Sequence, residues 1–414
     1  MAVQVKYTPN DGDWTIALPG SKSESNRLAV LQFLSSDAFE ITNLSTARDS
    51  RILLGCLQQI KRRNLNRVVE LDCLDGGTPL RFLMAVCALL PGQFLLRGTA
   101  RLMKRPMLDL VRSLRDAGAD IKAQGTGNSG PWLIQGGKID ASEWSVSMKE
   151  SSQFASALLL IAPFTDKGVH LRIHDAQASW PYVEMTLKTL SRVGVRFSIK
   201  DDGIRVLPGV QAKGHFEVEA DWSAAAFFFA AQAQRKSGTL TFPGLKIHSI
   251  QGDAFVERIF RYEGIHAYET VEGLRIQWKK PEWNLNPLSL NLESYPDLTP
   301  PLLAYYLMEG RAVDWYGLES LAAKESARDA VLGRMIENAG AVWEKQEACW
   351  KQRGKCHLQK QVLDTAGDHR MVMAFSLLAM KESAVELDDK DEVNKSFPDF
   401  WIEIKKLGIE VLSQ

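Results

Sequence analysis

Leu18-Pro-Gly-Ser-Lys-Ser-Glu-Ser-Asn-Arg27 is the stretch from which the rest of the chain can be read. Pro19 and Gly20 break an extended segment, and the apolar run from Leu28 to Leu34 predicts a helix begun at Ser23 or Ser25. Lys22, Ser23, Ser25 and Arg27 then stand at a helix N-terminus. Free backbone N–H groups and a partial positive charge already favour anions there, and the added cations and hydroxyls suit a phosphate or carboxylate. An ordinary serine-capped surface helix with two solvated cations fits the same ten residues equally well.

Moving outward, helices of the same kind recur. Segments rich in small and apolar residues, each opened by a polar or glycine cap, run from Ser25 to Leu34, Gly77 to Leu90, Ser151 to Ala162, Asp221 to Gln234, Asp297 to Met308 and Asp368 to Met380. After the first interval the starts recur roughly every 70 to 76 residues, too long a period for a solenoid and suited to a packed α/β unit. A second, amphipathic kind ends in glycine before a short β-like segment: Leu108 to Gly118, Met185 to Gly194, Phe255 to Gly264, Val331 to Gly340 and Phe400 to Gly408. Val169 to Ile173 and Gly238 to Phe242 have the β-branched or alternating character of strands. The prediction is an α/β protein of six units, three to a domain, each with one wholly buried and one half-exposed helix. The boundary falls near Glu217 to Asp221.

Composition narrows the function. Lys plus Arg and Asp plus Glu both number 50, so neither nucleic acid nor an anionic membrane is called for as partner. The N-terminus lacks the pattern of a signal peptide, and the longest apolar runs are too short to span a bilayer, so a cytoplasmic protein is expected. Cys56, Cys73, Cys87, Cys349 and Cys356 show no metal-ligand spacing, and free thiols and no metal are expected. G-x-x-x-x-G-K-[ST] and G-x-G-x-x-G are both absent, which removes the usual support for ATP or a dinucleotide; no cofactor is expected.

The starts of the buried helices carry Ser25-Asn-Arg27, Gly77-Thr78 with Arg81, Ser151-Ser-Gln153, Asp221-Trp-Ser223, Asp297 with Thr299, and Asp368-His-Arg370. Caps explain the serines, threonines and aspartates. Arg27, Arg81 and Arg370, with Arg105 before Pro106, are not explained that way, because cations oppose the dipole at that end. An anionic substrate received in a cleft between the domains would resolve the conflict.

LPGSKSESNR (18–27), DGGTPLR (75–81), RP (105–106), SSQF (151–154), SWPY (179–182), QGD (251–253), PD (296–297), KESAR (324–328), GDHRM (367–371) and KSFP (395–398) fall in the order and spacing of one family. From about residue 18 to 400 the chain resembles the 5-enolpyruvylshikimate-3-phosphate synthases. The resemblance implies the enolpyruvyl transferase fold, an inside-out α/β barrel of two domains, each of three βαβαββ-type units. The chain would cross between them twice, giving one domain at 21–219 and another from 1–20 plus 220–414. It implies transfer of the enolpyruvyl group of phosphoenolpyruvate to the 5-hydroxyl of shikimate 3-phosphate, by a monomer acting on small molecules.

By motif, the resemblance gives Lys22, Ser23, Arg27, Ser151, Ser152, Gln153, Ser179, Tyr182, Asp297 and Lys324 to shikimate 3-phosphate. Lys22, Gly77, Arg105, Gln153, Arg328, Arg370 and Lys395 go to phosphoenolpyruvate. Asp297 and Glu325 are the expected proton carriers, Asp297 toward the hydroxyl and Glu325 toward the methylene, with Lys22 assisting phosphate departure and His369 a further acid/base candidate. The chain departs from the family pattern at Ser320, Ala322 and Ala327, where asparagine, arginine and an acidic residue are usual, and at Asp75 and Gly367, where asparagine is usual.

Three other readings compete. The related transferase acting on UDP-N-acetylglucosamine carries a Lys-Asn pair and a loop cysteine, whereas Lys22 is followed by Ser23 and residues 101–106 hold no cysteine. A noncatalytic anion-binding scaffold has no need of both Asp297 and Glu325. A phosphate-binding enzyme of another kind lacks a nucleotide loop here.

Overall fold

A computed structural model describes residues 2–36, 38–175, 179–281, 288–358 and 361–412. The chain divides into two compact units, residues 1–20 with 219–414, and residues 21–218. Each has its own hydrophobic core.

In the unit of residues 21–218, the helices Lys22–Leu34, Gly77–Leu89 and Gln153–Ile161 pack on one another, with the sheets laid outside them. In the other unit Trp222–Arg235, Thr299–Glu309 and His369–Leu377 do the same. Placing helices inside accounts for sequences that no amphipathic helix could carry. Phe227, Phe228 and Phe229 are consecutive and all fully buried, meeting Phe400, Phe397 and Phe260 from different sides at 6.1–6.5 Å. Cutting any of them to alanine would cost about 3–5 kcal/mol.

Among the described residues five sheets have four strands, all of one topology. In Val68–Asp72, Gly92–Arg97, Trp132–Gly136 and Asp120–Ala123, one parallel pair is followed by two antiparallel pairings. The sheet begun by Val362–Leu363 is completed from the far end of the sequence: Val3–Tyr7 inserts between Ala384–Leu387 and Ile409–Leu412, with Val5 opposite both Val385 and Val411. Trp14–Thr15 pairs in parallel with Thr239–Phe242 in the same unit. Residues 1–20 thus belong with the C-terminal half because their backbone hydrogen bonds are made there. The sixth repeat is reduced to the parallel pair Glu40–Thr42 and His215–Glu217. Only residues 62–67 separate its second helix from the next strand, leaving no length for a hairpin.

The glycines ending five half-exposed helices, Gly118, Gly194, Gly264, Gly340 and Gly408, all have positive φ, from 70° to 109°. The sixth such helix, Arg48–Lys61, ends at Arg62 and has no such glycine, so the glycine pattern misses it. No helix among the described residues is long and apolar enough to cross a membrane.

Candidate functional site

In the unit of residues 21–218 the first helix begins at Lys22, earlier than Ser23 or Ser25. Ser21 is its cap, its Oγ accepting the Glu24 N–H at 3.4 Å. Arg27 is therefore more than a turn inside the helix and only 2 % exposed. Its guanidinium donates to Thr186 Oγ1 (2.7 Å), the Ser23 carbonyl (2.7 Å), Ser156 Oγ (3.1 Å) and the Tyr182 carbonyl (3.0 Å). Burial lowers its pKa to about 10, against the pull of Tyr182 and Glu24. Arg27 thereby ties Ser23 and Tyr182 into one framework, with Ser179 capping the Tyr182 helix in a left-handed conformation.

Lys22 is held by Asp49, Nζ to Oδ2 3.2 Å, and Asp49 is buried. A second cluster surrounds Gly77. Any Cβ there would collide with Arg105 Nη1 and lie 3.1 Å from its Cζ and 3.3 Å from Arg81 Nη1. Arg81 donates to Gln153 Oε1 (2.7 Å) and lies 5.4 Å from the centre of the Phe154 ring, while Gln153 donates to Thr78 Oγ1 (3.1 Å). Gln153 is thus fixed from two sides, and the Ser151 hydroxyl accepts its backbone N–H at 3.3 Å, beside the buried Ser152. Gly77, Arg105 and Gln153 are brought together, with Arg81 and Thr78 as their supports.

In the other unit Asp297 precedes the buried helix Thr299–Glu309. Its Oδ1 accepts from Arg328 Nη1 (2.9 Å) and lies 3.8 Å from Lys324 Nζ, and its Oδ2 accepts from Arg370 Nη2 (2.9 Å). Burial opposes its ionisation, but Arg370, Lys324 and Arg328 outweigh it and hold the carboxyl well below the usual range. Arg328, 1 % exposed, also donates to Glu325 Oε2 (2.6 Å) and to Asp368 Oδ2 (2.8 Å). Burial works against its charge, and Asp368, Glu325 and Asp297 more than compensate, raising its pKa. Asp368 in turn caps its helix, accepting the Arg370 backbone N–H at 3.0 Å. Asp297, Lys324, Glu325, Arg328 and Arg370 therefore form one network. The buried Lys395 lies on a short 3-10 turn, Asp391–Lys395, packed against the Arg370 helix.

Sequence reasoning had no signal for Asp49, which sits on the helix without a glycine stop, or for Asp368 beyond its capping. Asp253, in the QGD motif, is buried, accepts a hydrogen bond from Ser223 and has its pKa raised to about 6, by burial first and then by the charge of Asp297. His369 is 1 % exposed, its Nδ1 3.5 Å from Asp368 Oδ1. Ser320 and Ala322 lie on the turn Glu319–Ala323, and Ala327 opens the helix Arg328–Asn338 without a side-chain cap.

These repeated units, with cations and carboxylates gathered near their inner helices' N-terminal ends, make an α/β protein suited to binding small anions. An EPSP synthase from Acinetobacter baumannii has the same fold, with a TM-score of 0.77 at 20% identity over 99% of this chain and 100% of that one. The profile of the family described as EPSP synthase (3-phosphoshikimate 1-carboxyvinyltransferase) matches residues 8–404. A 3-phosphoshikimate 1-carboxyvinyltransferase of Bacteroides fragilis is 31% identical over 401 residues, covering 96% of both chains. One from Aliivibrio fischeri is 30% identical over 426 residues, covering 96% of this chain and 97% of its own. The chain belongs to the EPSP synthase family.

Proposed function

We propose that the two residue sets serve one reaction, enolpyruvyl transfer from phosphoenolpyruvate to the 5-hydroxyl of shikimate 3-phosphate, a step toward the aromatic amino acids. Lys22, Gly77, Arg105, Gln153, Arg328, Arg370 and Lys395 take phosphoenolpyruvate. Ser23, Arg27, Ser151, Ser152, Ser179, Tyr182, Asp297 and Lys324, with Lys22 and Gln153, take shikimate 3-phosphate. In the addition step the hydroxyl oxygen bonds to the enol carbon while its proton leaves and another reaches the methylene. In the elimination step the carbon–phosphate oxygen bond breaks, the methyl group returns a proton and phosphate departs. Asp297 receives the hydroxyl proton, Glu325 serves the methylene, and Lys22 stabilises the departing phosphate.

The observation that carries this reading is that one guanidinium, that of Arg328, is bonded to both Asp297 and Glu325. Two proton carriers are thereby tied to the group proposed to hold a substrate carboxylate. In the free protein Asp297 is a poor base, because Arg370, Lys324 and Arg328 all stabilise its ionised form. A substrate anion that engages those cations weakens their hold and raises the basicity of Asp297 when the hydroxyl is in place.

The reading includes a monomer acting on small molecules in the cytoplasm. The test is phosphate release from phosphoenolpyruvate with either shikimate 3-phosphate or UDP-N-acetylglucosamine as acceptor. Release with the second acceptor alone would overturn the reading.

A further inference from the structure

We infer that Arg48 is a positioning residue for phosphoenolpyruvate, which acts by cancelling the charge of Asp75 at the mouth of the Gly77 helix. The inference rests on the assignment of Gly77 and Arg105 to that substrate. Asp75 lies in the turn closed by the Gly76 N–H and the Cys73 carbonyl (2.8 Å), two residues before the helix starts at Gly77. Two residues of chain keep its Cα within about 7 Å of Gly77 Cα. Gly77 is also where the Arg105 and Arg81 guanidinium groups crowd in. A carboxylate is therefore carried close to a place furnished with two guanidinium groups that could receive an anion. Left uncompensated, it would repel a substrate carrying both phosphate and carboxylate.

Arg48 Nη2 meets that carboxylate at 2.8 Å. Its neighbour Asp49 meets Lys22 at 3.2 Å. The dipeptide opening the helix Arg48–Lys61 thus makes two ion pairs of opposite sense, one to each flanking helix start. Asp49 orients Lys22, and Arg48 neutralises Asp75. The Asp75 side chain is 13% exposed and that of Arg48 37%, so their charges are only partly screened by water.

The test is steady-state kinetics on Arg48→Ala, Asp75→Asn, the double variant and Arg48→Lys, with Arg105→Ala as control. Arg48→Ala should raise the KM for phosphoenolpyruvate roughly three- to tenfold, leaving kcat and the KM for shikimate 3-phosphate within about twofold. Adding Asp75→Asn should return that KM to within about twofold of wild type, and Arg48→Lys should keep most of the effect of arginine. A purely structural role would move kcat and melting temperature with no rescue by Asp75→Asn.

An unchanged KM in Arg48→Ala, or a double variant as impaired as the single, overturns the inference. Should Arg48→Ala fail to fold, Asp75→Asn decides alone: a KM that falls or holds supports the inference, and a rise overturns it. If Arg105→Ala leaves the KM for phosphoenolpyruvate unaltered, the substrate assignment itself is wrong. If Arg105→Ala raises it while adding Asp75→Asn to Arg48→Ala brings no recovery, only the present inference fails.

Discussion

Gly77→Ala adds a single methyl group at the point where this fold leaves no room for one. The new Cβ would overlap Arg105 Nη1 and stand 3.1 Å from its Cζ, while Arg81 Nη1 at 3.3 Å closes the other side. The Gly77 backbone has no left-handed φ, so alanine is not strained there, and the first turn of a helix accepts it readily. What must give is the far end of the Arg105 side chain, which moves by about an ångström to regain ordinary contact. A charge-assisted hydrogen bond between that guanidinium and a substrate is worth about 1.5–3 kcal/mol, and the shift removes most of it. The KM for phosphoenolpyruvate should therefore rise roughly ten- to a hundredfold. The KM for shikimate 3-phosphate should hold, and the melting temperature should stay within a degree or two or rise slightly. Initial-rate phosphate release with each substrate varied, beside a thermal melt, reads all three. A tenfold loss of shikimate 3-phosphate affinity with phosphoenolpyruvate unaffected would refute the placement of Arg105, and a large fall in melting temperature would show that the collision is with the core.

Glu325→Gln keeps shape and hydrogen bonding toward Arg328 but cannot cycle a proton, so turnover should fall roughly a hundredfold while calorimetry still shows shikimate 3-phosphate binding; loss of binding in step with rate would make Glu325 a positioning group. Lys22→Met should abolish most turnover and also lower stability, because it strands the buried Asp49 carboxylate, whereas Arg105→Ala should lose phosphoenolpyruvate affinity with little change in melting. Asp253 has a folded-state pKa raised to about 6, above the ordinary value near 3.9, so its contribution to stability is full below about pH 4 and is lost as pH rises through 6. Asp253→Asn removes that loss, and its melting temperature relative to wild type should climb by several degrees between about pH 4 and 7. A difference that stays flat with pH would show that the carboxyl does not titrate in that window.

The parts of this molecule that were legible in the sequence are those governed by local rules. Buried helices such as Trp222–Arg235 announce themselves because three adjacent phenylalanines leave no polar face, and Gly118 or Gly340 marks a helix end because only that residue takes positive φ cheaply. Helix ends moved by a few residues where a cap outside the predicted range won, as Ser21 did over Ser23 and Ser25. The strand Val3–Tyr7, by contrast, lies far along the chain from both of its partners, and nothing in five residues names them.

The same division runs through the candidate site. A cation near a helix start is visible because it violates the dipole rule, so Arg370 and Arg81 stood out. The carboxylates that pair with other cations of the site obey every local rule and do not stand out. Asp368 reads as an ordinary cap, although its side chain is also bonded to Arg328. Asp49 reads as an ordinary acidic first-turn residue, although it holds Lys22. Such groups matter because a buried cation must be paired before its substrate arrives, and the pairing sets how much of its charge remains for the ligand. The stronger test of a site read from sequence is therefore whether each candidate cation has a counter-ion from another segment. Lys22 with Asp49, Arg328 with Asp297 and Asp368, and Arg370 with Asp297 meet that test, which is why substrate anions here would enter by exchanging partners with carboxylates already in place.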